Sequence, residues 1–263
     1  MIDNENLLLD VCNTAIRAGD EILKYYIEDI EVTYKDDSSP LTKADLAANK
    51  LIMSSLNQLD VNIPILSEEL IVDWSKRKKW NRYWLVDPLD GTKEFIKKNG
   101  EFTVNIALIE NNKPILGVIF APAKSKLYFA QKKNGSFKIN TKVELNTLNI
   151  AKKIFVSKKS NAIRVIGSRS HSNTTFTNWV NKKFPNAKII QAGSSLKFCL
   201  IAEGDADIYP RFGPTSEWDI AAGHIILNEA GGKISTFKNS EINYNMKDDI
   251  LNPEFYAIGS IKL

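Results

Sequence analysis

The stretch "FTVNIALIENNKPILGVIFAPAKSKLYFAQK", Phe102 to Lys132, decides the fold. It holds three apolar runs, "FTVNIALIE", "PILGVIFAPA" and "SKLYFAQK", separated only by "NNK" and "PAK". Connections this short make neighbouring strands antiparallel, because a parallel return needs a crossover of a dozen or more residues. Upstream, "NIPILSEE" and "RYWLVD" read as short buried strands, each with acids at its end. Further back, Leu8, Val11, Ala15, Ala18, Ile22 and Tyr26 recur at helical spacing and predict an amphipathic helix over 5–28. "IEVTYK" alternates like a strand, and "DDSSPL" breaks it with turn residues. A second helix is expected over Lys43–Leu59, with Thr42 as its N-cap.

Downstream of Leu148 the texture changes. "AIRVIGSRS", "AKIIQAG" and "ADIYPRF" read as strands, and "NTTFTNWVNKKF", "SLKFCLIAEG" and "WDIAAGHIILNEAGG" as helices. Gly204 closes the second of these helices, and Gly231 and Gly232 close the third. Alternating strands and helices mark an α/β layer. The expectation is two lobes, 1–150 and 151–263, meeting near 145–160.

Composition sets the class. The 263 residues are 43% hydrophobic and 25% charged, ordinary for a soluble globular chain of one large or two small domains. The N-terminus lacks the basic start and apolar core of a signal peptide, and no apolar run reaches the ~18 residues of a spanning helix. A cytoplasmic protein without an integral membrane segment is expected, with loose association at the inner membrane face left open. Net charge is +4, carried by scattered lysines; "SKRKKW" and "FVSKKS" are too short for a nucleic-acid surface. The bias favours small anionic substrates by weak steering. Cys12 and Cys199 lie far apart in apolar helical contexts and are expected as buried free thiols. Oligomeric state, monomer or homodimer, stays open.

No G-x-S-x-G elbow and no P-loop is present. The two histidines are His171 and His224, and His224 sits inside an apolar helix, where a structural role is expected. Acids stand out instead. Glu68 and Glu69 end "PILSEE", Asp87 and Asp90 end "YWLVDPLD", and Asp219 opens a helix. Clustered oxygen donors suit Mg²⁺ or Mn²⁺, and cations relieve the repulsion of several carboxylates at one point. In "DPLDGTKEF" Pro88 fixes φ and removes an N–H, leaving the Leu89 carbonyl free to join the two acids. Gly91 admits an anion close to the backbone, and Thr92 and Lys93 begin a turn that faces it. Each acid has a plainer alternative: Asp219 as a helix cap, Asp45 as the third-position acid of "TKAD", Glu69 as an outer or exposed acid.

Together, E-E after a strand, D-P-x-D-G-T-x-x-F and W-D-x-A-A-G resemble the signatures of the inositol monophosphatase superfamily. The resemblance spans nearly the whole chain. It implies an αβαβα sandwich, with a mainly antiparallel N-terminal sheet and a smaller C-terminal α/β lobe. It also implies a lithium-sensitive phosphomonoesterase using two or three Mg²⁺ ions, with Mn²⁺ as a substitute. Lys93, "SSPLTKAD", "GSRSH", "GSSLKFCLIAEGDADIYPRFGPT" and "EWDIAAGH" resemble the bacterial 3′(2′),5′-bisphosphate nucleotidases of the CysQ type. That branch removes the 3′-phosphate of adenosine 3′,5′-bisphosphate, a by-product of sulfate assimilation.

By this resemblance Glu68, Asp87, the Leu89 carbonyl, Asp90 and Asp219 are metal ligands, and Glu68 counts among the catalytic set. Asp45 and Thr92 orient the attacking water. Gly91 and Thr92 cradle the phosphate, and Lys93, Ser194, Lys197 and Arg211 face the nucleotide, with His171 beside the adenine. The implied mechanism is in-line attack by a water on the phosphoryl group. Rival readings are inositol phosphate or fructose 1,6-bisphosphate as substrate, a haloacid-dehalogenase-type phosphatase, and a non-catalytic nucleotide sensor. The dehalogenase type places its aspartates two apart, against three here; a sensor would not need the full acid set.

Overall fold

The computed structural model describes the chain except residues 1–3, 28–31, 35–39, 159–161, 170–173 and 262. His171 therefore lies outside the described residues. The first helix, α1 (Asn4–Ile27), buries Val11, Ala15, Ala18 and Ile22, the stripe its periodicity predicts. A two-stranded ribbon follows, β1 (Val32–Tyr34) with β2 (Pro40–Thr42). Helix α2 (Lys43–Leu59) starts after Thr42, as expected.

Next come β3 (Ile65–Ser67), a one-turn α3 (Trp74–Arg77), β4 (Arg82–Asp90), α4 (Thr92–Ile96), β5 (Thr103–Glu110), β6 (Lys113–Ala121), β7 (Lys126–Gln131), β8 (Gly135–Asn140) and β9 (Lys152–Ile154). These seven strands form one sheet in sequence order. Every neighbouring pair is antiparallel except β3 with β4. Then follow β10 (Arg164–Ser168), α5 (Thr174–Lys183), β11 (Lys188–Ala192), α6 (Leu196–Ala202), β12 (Ile208–Arg211), α7 (Glu217–Glu229), β13 (Lys233–Thr236) and β14 (Phe255–Ile258). The second sheet runs β11-β10-β12-β14-β13. Its β11, β10 and β12 are parallel, and β14 and β13 join antiparallel.

The period of two along β4 explains the layering. Trp84 and Val86 share a core with Val11 and Ala15 of α1 and Ile52 and Leu56 of α2. Tyr83 and Leu85, on the other face, share a core with Phe198 of α6, Ile225 of α7 and Phe255 of the second sheet. Beyond that sheet Val180 of α5 packs on Val165 and Ile208. The order is helices, seven-stranded sheet, helices, five-stranded sheet, helix: the α/β sandwich expected. Helix α7 lies so close to β6 that a Cβ on Gly117 would sit 2.7 Å from the Ala222 carbonyl oxygen. Both cysteines are buried and free. Among the described residues no helix is long and apolar enough to cross a membrane.

Five strands were not legible: β2, where "DDSSPL" read as turn, and β8, β9, β13 and β14. A further difference bears on function. The strand read in "RYWLVD" does not end at Asp87, since β4 continues through Pro88 to Asp90. Asp87 pairs with Asn105 and Asp90 with Thr103, so three steps on β4 oppose two on β5. The extra residue is a β-bulge. In a regular strand residues three apart point to opposite faces. The bulge returns Asp90 to the face of Asp87.

Candidate active site

The ends of β3, β4, β10 and β12 and the first turns of α4, α6 and α7 surround a cavity of about 410 Å³. Glu68, Asp90, Gly91, Thr92, Lys93, Ser194, Lys197, Arg211 and Asp219 line it. Asp45, Asp87 and Leu89 are buried behind that lining.

Local structure places each acid. Asp45 is the third residue of α2, and its Oδ2 accepts the Thr42 N–H at 2.8 Å and the Thr42 hydroxyl at 2.5 Å. Asp219 is the third residue of α7, and its Oδ2 accepts the Ser216 N–H at 2.9 Å. Asp219 is thus a third-position cap rather than the N-cap itself. Both acids spend one oxygen on a helix start, which fixes where the other points. The Thr92 hydroxyl lies 3.4 Å from Asp45 Oδ1 and 3.4 Å from the Leu89 carbonyl oxygen. Asp87 Oδ1 accepts the Leu89 N–H at 3.1 Å, across the bulge. Asp90 Oδ2 accepts the Ser195 N–H at 2.6 Å and faces Asn105 Nδ2 at 3.4 Å. Gly91 turns the chain at φ 90°, and Phe95 anchors α4 by packing its ring against Tyr26 and Phe102.

The electrostatics follow from this crowding. Burial lifts Asp45 to about 6 against the pull of its Thr42 hydrogen bonds. It lifts Asp90 to about 6, opposed by Lys197 and the Ser195 N–H. Asp87 and Asp219 are pushed well up, first by burial and then by neighbouring acids: Glu68 and Asp90 for Asp87, Asp90 and Glu68 for Asp219. Among the described residues none of Asp45, Asp87, Asp90 and Asp219 forms an ion pair. No three His, Cys, Asp or Glu side chains among them already close around one point. The donor set is all oxygen, buried and mutually repelling, which fits hard divalent cations and no softer metal.

Cations stand on another wall. Burial pulls Lys197 down to about 8, while Asp90 pulls it up. Its Nζ sits 5.4 Å from the Tyr209 ring centre. Arg211 Nη2 donates to the Pro214 carbonyl at 2.8 Å, and among the described residues its buried Nε has no hydrogen-bond partner. An unmatched guanidinium N–H on a cavity wall is a donor waiting for an anion. His224 is structural: buried inside α7, with Nδ1 2.8 Å from the Tyr244 hydroxyl and its pKa lowered to about 4 by burial.

A model of the inositol monophosphatase family matches residues 3–258. The chain belongs to that family. Family membership makes it a phosphatase, an enzyme of a metal-dependent class. It is similar to the 3′(2′),5′-bisphosphate nucleotidase CysQ of Salmonella typhimurium, 45% identical over 95% of this chain and 98% of that protein. The CysQ protein of Buchnera aphidicola is 48% identical over 95% of this chain and 93% of its own. The crystal structure of CysQ from Bacteroides thetaiotaomicron superimposes with a TM-score of 0.88 at 40% identity, covering all of both chains. The Thermotoga maritima IMPase shares the fold, with a TM-score of 0.77 at 24% identity over 94% of this chain and 90% of its own.

Sequence reading missed the residues that hold this phosphatase site in shape. Thr103 and Asn105 face the site from β5 because they oppose Asp90 and Asp87. Asn105 Oδ1 accepts the Thr103 hydroxyl at 3.0 Å and the Ser195 hydroxyl at 2.8 Å, leaving its amide toward Asp90. In "FTVNIALIE" they were a strand's polar alternation and nothing more. Glu217 steadies the start of α7: both its oxygens accept the Asn245 N–H at 2.9 Å, and buried Arg77 donates to Asn245 Oδ1 at 2.7 Å. Such pairs are long-range, and only the fold reveals them.

Proposed function

We propose that the chain removes the 3′-phosphate of adenosine 3′,5′-bisphosphate, giving AMP and phosphate, in nucleotide recycling linked to sulfate assimilation in the cytoplasm. One observation carries the reading: a single cavity has clustered carboxylates on one wall and Lys197 with Arg211 on another. A substrate with two phosphates, one cleaved and one retained, matches that division.

Glu68, Asp87, the Leu89 carbonyl, Asp90 and Asp219 would hold two or three Mg²⁺ ions, with Mn²⁺ able to replace them. Bound divalent cations supply the positive charge that the phosphoryl oxygens and the departing ribose oxygen require, and they lower the proton affinity of water. The chain's own residues orient and deprotonate. Asp45 Oδ1 and the Thr92 hydroxyl lie 3.4 Å apart, and together they would orient the attacking water from one side. An acid lifted to about 6 is poised to take that proton near neutral pH. Gly91 lets the phosphoryl group approach the backbone. Lys197 and Arg211 hold the 5′-phosphate, and Ser194 lines the sugar side.

Phosphate release from adenosine 3′,5′-bisphosphate, inositol 1-phosphate and fructose 1,6-bisphosphate, measured side by side with Mg²⁺, tests the reading. The nucleotide is expected to lead, with inhibition by lithium. Faster turnover of an inositol or fructose phosphate overturns it, and binding with no release marks a sensor. Lys93 is exposed on the cavity lining, where it would face the retained phosphate. Lys93→Ala is expected to raise KM for the nucleotide about five- to tenfold with kcat little changed, the loss of roughly 1 kcal/mol of charge-assisted binding. Equal losses for the nucleotide and inositol 1-phosphate would remove its role in selection.

A further inference from the structure

Outside the cavity lining, Glu101 gathers N–H groups from two segments of the second sheet. It sits in the turn between α4 and β5. Its Oε2 accepts Arg169 Nε at 2.7 Å and the Gly193 N–H at 2.8 Å, and its Oε1 accepts Arg169 Nη2 at 3.0 Å. Lys124 Nζ lies 3.7 Å from the same carboxylate. Arg169, just past β10, also donates through Nη2 to the Gln191 carbonyl at 3.0 Å. Gly193, just past β11, is packed so tightly that a Cβ would lie 2.8 Å from Glu94 Cγ and 2.9 Å from the Glu101 carbonyl oxygen.

Two residues on, Ser195 gives its N–H to Asp90. Between them Ser194 stands at φ 45°, in the left-handed region. The 193–195 segment is thus gripped at both ends, by Glu101 and by Asp90, around a conformation that an unsupported serine rarely adopts.

We infer that the Glu101–Arg169 clasp positions the 193–195 segment and, through the Ser195 N–H, the Asp90 carboxylate, so that Glu101 is a positioning residue for the metal and phosphate site. The inference rests on Asp90 as a metal ligand. Stability is not its main product. The Arg169 side chain is 42% exposed, and pairs so placed contribute little to folding. Geometry is: residues that support a ligand typically matter about 10- to 100-fold in metal affinity or activity.

Glu101→Gln keeps an acceptor for Gly193 and breaks the two-toothed grip on Arg169. Full-length wild type, Glu101→Gln, Arg169→Lys and Asp90→Asn are compared by Mn²⁺ titration calorimetry, thermal melting and kinetics. Glu101→Gln is expected to weaken Mn²⁺ binding and to lower kcat/KM, each by about tenfold, with a melting shift below about 2 °C. Arg169→Lys should fall in the same direction, and it carries the test if Glu101→Gln does not fold. Adding Arg169→Met to Glu101→Gln should cost little more than Glu101→Gln alone, because both remove one clasp. Mn²⁺ affinity, kcat and KM all within about twofold of wild type overturn the clasp, since a support shell matters more than that. Normal Mn²⁺ binding by Asp90→Asn overturns it at its base, by removing Asp90 as a ligand. Loss of binding in Asp90→Asn alone refutes the clasp and leaves the phosphatase reading standing.

Discussion

Asp90→Asn is expected to lower turnover by on the order of a thousandfold or more, with the fold retained. The size follows from the proposed role: a ligand that places divalent charge on the transferring group is worth several kcal/mol, and each 1.36 kcal/mol is tenfold in rate. Retention of the fold follows from the geometry. The asparagine oxygen can still accept the Ser195 N–H that Asp90 now holds at 2.6 Å, and the side-chain volume hardly changes. What disappears is one negative charge beside Asp87 and Asp219, whose carboxyls Asp90 and Glu68 help to push up. Removing it relieves repulsion, so the metal-free variant should melt no lower than wild type. Phosphate release and thermal melting, measured together, check both halves. Near-normal turnover would remove Asp90 from the metal set, and a collapsed fold would make its role structural. The bulge between Asp87 and Asp90 also separates this site from phosphatases with aspartates two apart. Both acids face one way here, and no phosphoaspartyl adduct is expected to be trapped.

What the sequence made legible was local. The helices Asn4–Ile27 and Lys43–Leu59 follow from apolar spacing and from Thr42, a capping residue with Asp45 three positions on. The antiparallel run from β5 to β7 follows from turns too short for any other connection. The acids were legible because charge at the end of an apolar run is costly without a use. Three kinds of feature were not. Strand β9 is three residues of edge, with two lysines in it, and reads as loop. The β4 bulge shows only against a partner's register, which the strand's own sequence does not carry. The Glu101, Asn105 and Arg77 networks join residues up to 171 positions apart, and no spacing in one chain announces them. The wall carrying Lys197 and Arg211 lay between these extremes. Resemblance supplied the residues, and the structure added that the Arg211 Nε–H is buried and, among the described residues, has no hydrogen-bond partner.

Metal removal should expose the strain stored in the acids, and the sign can be worked out. Asp45 and Asp90 stand at about 6 in the folded chain against 3.8 for the free group, and Asp87 and Asp219 are raised well above it. A carboxyl whose folded pKa is raised contributes stability at low pH and loses it as pH rises through the folded value. For Asp45, almost fully buried, a shift of about two units corresponds to roughly 3 kcal/mol. Glu217, lifted by burial to about 7, acts in the same direction. His224 acts in the opposite one: its folded pKa of about 4 lies below its free value of 6.5, so its contribution is lost as pH falls between them. One histidine opposes five acids. In chelator, therefore, melting temperature is expected to decline from about pH 5 toward neutrality. With the proposed ligand set, millimolar Mg²⁺ should reverse that decline, because ions held there would bind the deprotonated acids and stabilise the fold by mass action. The clean readout is the difference between the two melting curves, in which groups remote from the site cancel. That difference should widen to on the order of 10 °C near pH 7.5, at 2–4 °C per kcal/mol for a chain of this size. It should shrink in Asp219→Asn, which removes one of the repelling charges. A Mg²⁺ increment that stays flat between pH 5 and pH 7.5 would mean that these carboxylates are not where the metal binds.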